Sequence, residues 1–411
     1  MPFSSLGLSP ALVLAASKKM YLTPTPIQAA VIPLVLQGGD VLAQAATGSG
    51  KTAAFALPLL QAVSEAQRKV LILVPTRELA VQVGNEIKAL AQHLPQKIKV
   101  VSVFGGVSIN PQMMVLRGHA DVLVATPGRL LDLMTQNALK PEHFNTLVLD
   151  EADRLLDLGF SEEINRILAL LPATRQNLFF SATFPAAVSA LASQLLHNPT
   201  KVEIEQSEGN KPNILQRVIA VDEARRAELL AALVLDSGDA RALVFVASKV
   251  IAEQLARYLC GAGIKAAPFH GEFSQGRRSQ VLAEFKAAKL QVVVATDLAG
   301  RGIDIDDLPC VINFDLPRSP VDYTHRIGRT GRAGSSGVAI SLVSADSEAH
   351  FRLLENRLNR RVPREQIDGF APQDVAVVAA DAETGGIKGH RMSKKDKLRA
   401  AAARDAAGDE V

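Results

Sequence analysis

Short apolar runs alternate with helical stretches along most of this 411-residue chain, and this rhythm limits the possible fold more than any other feature. Runs at 40–44, 69–74, 98–104, 121–125, 146–150 and 176–180 read as strands, with stretches such as 53–62, 78–93 and 160–171 reading as helices between them. Strand, helix, strand in succession is the βαβ pattern, which predicts a mostly parallel sheet with helices on both faces. A polar stretch containing Gly209, Lys211, Pro212 and Asn213 interrupts the rhythm and reads as a linker. Strands are then expected at 214–221, 242–247, 265–269, 291–295, 310–314 and 337–343, with helices at 222–235, 249–260, 274–288 and 346–357. The expected organisation is an α/β domain over 1–207, a linker at 208–213, a second α/β domain over 214–369 and a flexible basic tail over 370–411.

The run Thr146-Leu147-Val148-Leu149 ends without a turn in Asp150-Glu151-Ala152-Asp153. Four apolar or β-branched residues suit a strand buried on both faces, so the acids emerge at its carboxyl edge, where open parallel sheets bind ligands. Alone, the same run also suits a solvated helix start, because acidic side chains complement the positive end of a helix.

Ala45-Ala46-Thr47-Gly48-Ser49-Gly50-Lys51-Thr52, set between strand 40–44 and helix 53–62, gives the acids a purpose. Glycines let backbone N–H groups turn toward an anion, Lys51 reaches the β/γ-phosphates, and the Thr52 hydroxyl ligates Mg²⁺. Ala45 stands where the common pattern has its first Gly. With ATP and Mg²⁺ so placed, Asp150 is expected to hold the metal through water and Glu151 to polarise the attacking water.

Polar signatures cluster where strands end. Pro75-Thr76-Arg77-Glu78, Gly105-Gly106, Thr126-Pro127-Gly128-Arg129 and Ser181-Ala182-Thr183 follow strands of the first half; Ser248, His270-Gly271-Glu272 and Thr296-Asp297 follow strands of the second. Each half therefore has one functional rim, and a ligand between the rims would touch most of these groups. The second half has no phosphate loop but carries His325-Arg326-Ile327-Gly328-Arg329-Thr330-Gly331-Arg332. Guanidinium forks pair with phosphate oxygens, so Arg329 and Arg332, set across a cleft from Lys51, are expected to stabilise charge on the transferring γ-phosphoryl.

Together these residues resemble the DEAD-box ATP-dependent RNA helicases over about residues 3–360, with Asp150-Glu151-Ala152-Asp153 as the naming motif. The chain looks most similar to the bacterial RhlE-like branch, through Phe3-Ser4-Ser5-Leu6-Gly7-Leu8-Ser9-Pro10 and a short tail. The resemblance implies two tandem RecA-like domains. It makes Tyr21, Pro24, Thr25, Pro26, Ile27 and Gln28 the adenine-reading segment with Phe3 as its upstream aromatic, and it puts Asp304 on the ribose hydroxyls. It further implies that Asp153, Ser181 and Thr183 couple the carboxylates to the opposite domain. Implied RNA contacts are Arg77, Gly106, Thr126 and Arg129 in the first domain and Arg278 and Thr296 in the second, mostly to phosphate and ribose and so independent of sequence. Met20 and Gly300 depart from the family, which usually has Gly and Ala or Ser at these places.

Composition adds exclusions. No apolar run could span a bilayer, since the stretch Ala29 to Leu36 is broken by Pro33, and Met1-Pro2-Phe3-Ser4-Ser5 lacks a basic secretory leader. Two distant cysteines, Cys260 and Cys310, fit a reducing cytoplasm, and the eight histidines form no ligand spacing. A net charge of +3 permits a nucleic-acid partner without indicating one. The tail carries Lys388, Arg391, Lys394, Lys395, Lys397, Arg399 and Arg404, and reads as a solvated segment or, alternatively, an RNA anchor. The expectation is a monomeric cytoplasmic enzyme that unwinds short RNA duplexes or remodels RNA–protein complexes, with ribosome-assembly or RNA-decay proteins as possible partners. An ATP-gated RNA clamp and a DNA-directed helicase stay open as alternatives.

Overall fold

The computed structural model describes residues 2–45, 48–117, 119–204, 213–238, 240–300, 308–331 and 336–373. In the first half the strands are β1 (Val41–Gln44), β2 (Val70–Leu73), β3 (Val100–Val103), β4 (Val122–Ala125), β5 (Thr146–Leu149), β6 (Gln176–Ser181) and β7 (Thr200–Glu203). Every residue of β2, β4 and β5 is buried, as a strand covered on both faces requires. Side chains of alternate residues leave opposite faces of a strand, so Val148 enters one core layer while Leu147 and Leu149 enter the other.

The second half repeats this design with β8 (Asn213–Ala220), β9 (Ala242–Val246), β10 (Ala266–Phe269), β11 (Val292–Thr296), β12 (Cys310–Asn313), β13 (Ser336–Val343) and β14 (Arg364–Glu365). The first sheet runs β3-β4-β2-β5-β6-β1-β7 and the second β10-β11-β9-β12-β13-β8-β14, which is the same strand order shifted by seven. All pairings are parallel. The edge strands β7 and β14 were not expected from the apolar rhythm. Three of the four β7 residues are exposed, and β14 is two residues long, so neither has an apolar run to betray it.

Parallel strands place all their carboxyl ends on one rim of each sheet. In the first sheet β5 and β1 flank β6, so the acidic motif, the Ser-Ala-Thr segment and the phosphate loop leave neighbouring strands. Asp40, expected within the first strand, precedes β1, and its carboxylate accepts the backbone N–H groups of Asn177 at 2.7 Å and His197 at 2.8 Å. Residues 370–373, assigned to the tail from sequence, are docked on the second half. Phe370 packs beneath the Arg225 guanidinium at 4.6 Å, and the Gln373 N–H donates to the Asp222 carboxylate at 3.0 Å. Most of the expected linker and the tail from 374 lie outside the described residues. Among the described residues no helix is long and apolar enough to cross a membrane.

Candidate active site

The helix Lys51–Ala66 begins directly behind the phosphate loop, with Gly48 at φ 80° and Gly50 at φ 92° in the left-handed region that glycine reaches without strain. A Cβ at Gly50 would lie 2.5 Å from Gln28 Nε2, so this position excludes any side chain on packing as well. Gln28 ties Thr25 to the loop: its Oε1 accepts the Thr25 N–H at 3.0 Å, and its Nε2 donates to the Gly50 carbonyl at 3.2 Å. Lys51 is buried and donates from Nζ to the Ala45 carbonyl at 3.0 Å. Ala46 and Thr47 lie outside the described residues.

Asp150, Glu151 and Asp153 are 3%, 8% and 3% exposed, which removes the alternative of a solvated helix start. The turn after β5 forces Glu151 to φ 52°, a strained conformation for a residue with a side chain, and the helix Ala152–Asp157 begins behind it. Asp153 Oδ2 accepts from the Thr183 N–H at 3.0 Å and the Thr183 hydroxyl at 2.8 Å, while its own N–H donates to Ser181 Oγ at 3.2 Å. The carboxylates Asp150 and Glu151 are adjacent yet shifted in opposite directions. Burial raises Asp150 to about 6, only partly offset by the Lys51 charge. Burial also opposes ionisation of Glu151, but Arg154, Lys51 and Arg329 together outweigh it and hold the carboxyl below its ordinary range.

Arg329 brings the second half into this site. It follows the helix Pro320–Ile327, and its charge acts on Glu151 across the interface. Arg326, one turn earlier, is committed inside the second half, donating to both oxygens of Asp297 at 2.6 and 2.7 Å and to Asn313 Oδ1 at 3.0 Å. Arg332 and Asp304 lie outside the described residues.

The expected RNA-facing residues fall into two groups. Arg77 lies against Gly106, where φ is 73° and a Cβ would come within 2.0 Å of its guanidinium. Thr126 immediately precedes the helix Pro127–Thr135, Arg129 Nη2 donates to the Val107 carbonyl at 2.8 Å, and Thr296 ends β11. Arg278 differs. It is 4% exposed, its Nε lies 3.0 Å from the Glu78 carboxylate of the first half, and its guanidinium stacks 4.8 Å from the Phe269 ring. A buried arginine needs a carboxylate, so in this arrangement Arg278 joins the two halves and is not a surface RNA contact. Two nucleotide assignments shift similarly. Phe3 is 4% exposed within the core of the first half. Tyr21 is half-buried, with its hydroxyl fixed on Glu86 Oε1 at 2.5 Å. Arg154 was missed from sequence, and Glu78 was noted only as part of a rim signature, without a partner. The one signal for Arg154 was spacing: it stands one helical turn after Glu151, where the two side chains meet.

The donor set fits a nucleotide and a hard cation. Ser49 Oγ is buried without a hydrogen-bond partner among the described residues, inside a cradle of positive-φ glycines. Among the described residues no group of three or more His, Cys, Asp or Glu could hold a metal on its own. Asp150 is a carboxyl that burial leaves in need of a counter-charge, and together with the Thr52 hydroxyl it offers oxygen donors of the kind a hard cation takes.

Two parallel seven-stranded sheets of one topology, a phosphate loop and a buried acidic motif facing an arginine loop define a tandem RecA-like nucleotide-driven motor. Residues 25–191 match the family described as DEAD/DEAH box helicase, and residues 225–334 match the helicase conserved C-terminal domain. The chain is 39% identical over 364 residues to the DEAD-box ATP-dependent RNA helicase CshA of Bacillus cereus, covering 88% of this chain and 69% of that protein. It is 37% identical to CshA of Bacillus subtilis, covering 88% of this chain and 73% of the relative. Among solved structures it resembles S. cerevisiae Dbp5 bound to RNA and ADP BeF3, with 31% identity, a TM-score of 0.77, and coverage of 90% and 96% of the two chains. It also resembles Mss116p bound to ssRNA and AMP-PNP, with 27% identity, a TM-score of 0.79, and coverage of 89% and 78%. The chain belongs to the DEAD-box family of ATP-dependent RNA helicases. These relatives carry the name CshA and give no support to the RhlE-like branch expected from the opening segment.

Proposed function

We propose that the two halves, bounded at about 207 and 214 as the sequence suggests, close on ATP and RNA together and that hydrolysis reopens them. Glu151 carries this reading, because its carboxylate lies in the fields of Lys51 from its own half and Arg329 from the other. Lys51 exchanges the Ala45 carbonyl for the β/γ-phosphates, and the backbone N–H groups of 48–50 help cradle them. Glu151 orients the attacking water, and Arg329, with Arg332, steadies charge on the transferred phosphoryl; fingers of this kind contribute on the order of 10³ to 10⁵ in rate. Asp153, tied to Ser181 and Thr183, transmits the state of this rim. Thr52 and Asp150 would hold Mg²⁺, which when bound would neutralise phosphate charge.

RNA lies along the rim formed by Arg77, Gly106, Thr126, Arg129 and Thr296, held mainly by phosphate and ribose. The relatives named as RNA helicases and the RNA-bound structures at TM-scores of 0.77 and 0.79 support RNA as the strand acted on. On this reading the protein is a monomeric cytoplasmic remodeller of short RNA duplexes or RNA–protein complexes. Lys51→Ala and Glu151→Gln are each expected to abolish RNA-stimulated ATP turnover, measured by phosphate release; wild-type turnover in either would sink these roles. Matched RNA and DNA strands should differ in the same assay, with RNA stimulating more.

A further inference from the structure

We propose that Arg154 is a positioning residue of the hydrolysis step, whose buried guanidinium holds the Glu151 carboxylate in the orientation from which it aligns the attacking water. The inference rests on the reading of Glu151 given above. Arg154 is 2% exposed, among the largest fully buried side chains of the molecule, and its Nη1 donates to Glu151 Oε2 at 3.0 Å. Its Nη2 is buried with no hydrogen-bond partner among the described residues.

Burying an arginine on one carboxylate oxygen is a poor way to stabilise a fold. Taking both ions out of water is costly, and an apolar side chain of similar volume is commonly as stable or more so. The position is better explained by its effect on Glu151. That residue stands at φ 52°, at the start of a short helix, where the backbone alone leaves the side chain several rotamers. Arg154 removes that freedom, and it is itself fixed by its backbone N–H, which donates to Asp153 Oδ1 at 3.1 Å and the Glu151 carbonyl at 2.9 Å. Asp153 is in turn held by Thr183. A continuous set of contacts therefore runs from the Ser-Ala-Thr segment through Asp153 and Arg154 to Glu151. Arg329 reaches Glu151 from the other half, so its influence depends on closure; Arg154 lies three residues away in the same half, so its restraint persists when the halves part.

The test uses the full-length protein with Arg154→Gln, Arg154→Lys and Glu151→Gln. Arg154→Gln should lower kcat for RNA-stimulated ATP hydrolysis about tenfold to a hundredfold, the usual scale for losing a group that orients a reacting one. KM for ATP, and RNA affinity in the presence of a non-hydrolysable ATP analogue, should stay within about twofold, since only the chemical step is touched. Arg154→Lys should recover part of the loss but remain severalfold below wild type, because an ammonium cannot reproduce the planar fork. A role limited to charge balance would leave Arg154→Lys at wild-type kcat, and that result overturns the proposal even if Arg154→Gln does not fold. Losses confined to KM or RNA binding overturn it as well. If Glu151→Gln is inactive while a folded Arg154→Gln matches wild type, only the positioning role fails; if Glu151→Gln retains turnover, the reading of Glu151 itself fails.

Discussion

Asp150 illustrates how a single residue is set by its surroundings. Its carboxyl is raised from 3.8 to about 6, chiefly by burial, so the folded protein binds that proton more tightly than the unfolded chain does. The resulting stabilisation is fully present below pH 3.8 and is lost as pH rises through about 6, a swing of up to about 3 kcal/mol at 1.36 kcal/mol per pH unit. Nucleotide-free protein should therefore lose stability relative to Asp150→Asn between about pH 4 and 6, measured by urea unfolding at a series of pH values. Parallel curves for the two proteins would show that the shift is not there. From sequence, motif order set apart the roles expected of the acids at 150, 151 and 153 but said nothing of their surroundings. Burial, the partner at Arg154 and the Thr183 contacts give each acid an environment of its own in the fold.

At the scale of elements, departures from the family pattern acquire packing reasons. Gly300 ends the short helix Asp297–Gly300, and a Cβ there would lie 2.5 Å from Cε1 of Phe245, a buried β9 residue whose ring carries the Arg326 guanidinium at 5.0 Å. Gly300→Ala should thus overpack this layer at a cost of about 1–3 kcal/mol, read as a lower urea midpoint, and Phe245→Leu in the same chain should relieve part of it. Met20 stands at φ 60°, the conformation that the glycine usual at this place adopts without strain. The central strands were legible because each carries an apolar stretch at its core, whereas β7 and β14 were hidden because an edge strand is held by backbone pairing to one neighbour and needs few apolar side chains.

At the scale of the molecule, the Glu78–Arg278 pair is where closure can be tested. Both side chains are buried at the contact between the halves, and an ion pair of this kind is costly to break from one side, about 3–5 kcal/mol. Glu78→Arg or Arg278→Glu alone should abolish most RNA stimulation of ATP turnover while leaving nucleotide affinity nearly unchanged, and the double reversal should restore part of it. Equal losses in the single and double variants, compared in a double-mutant cycle, would show that the two residues do not act as a pair.

The sequence by itself determined the two-half architecture, the phosphate loop, the acidic motif and the arginine loop, because apolar periodicity and motif order are local properties of the chain. It also determined the family, since these motifs recur in a fixed succession. Tertiary structure alone decided which polar residue meets which. Arg278 was legible as a basic residue on a rim but not as Glu78's partner, 200 positions away in the chain. Phe3 was legible as an aromatic but not as a core residue. The physical reason is common to both: a charge or a ring takes its role from the dielectric and the neighbours it is buried with, and those are fixed only when the two sheets and their helices have packed.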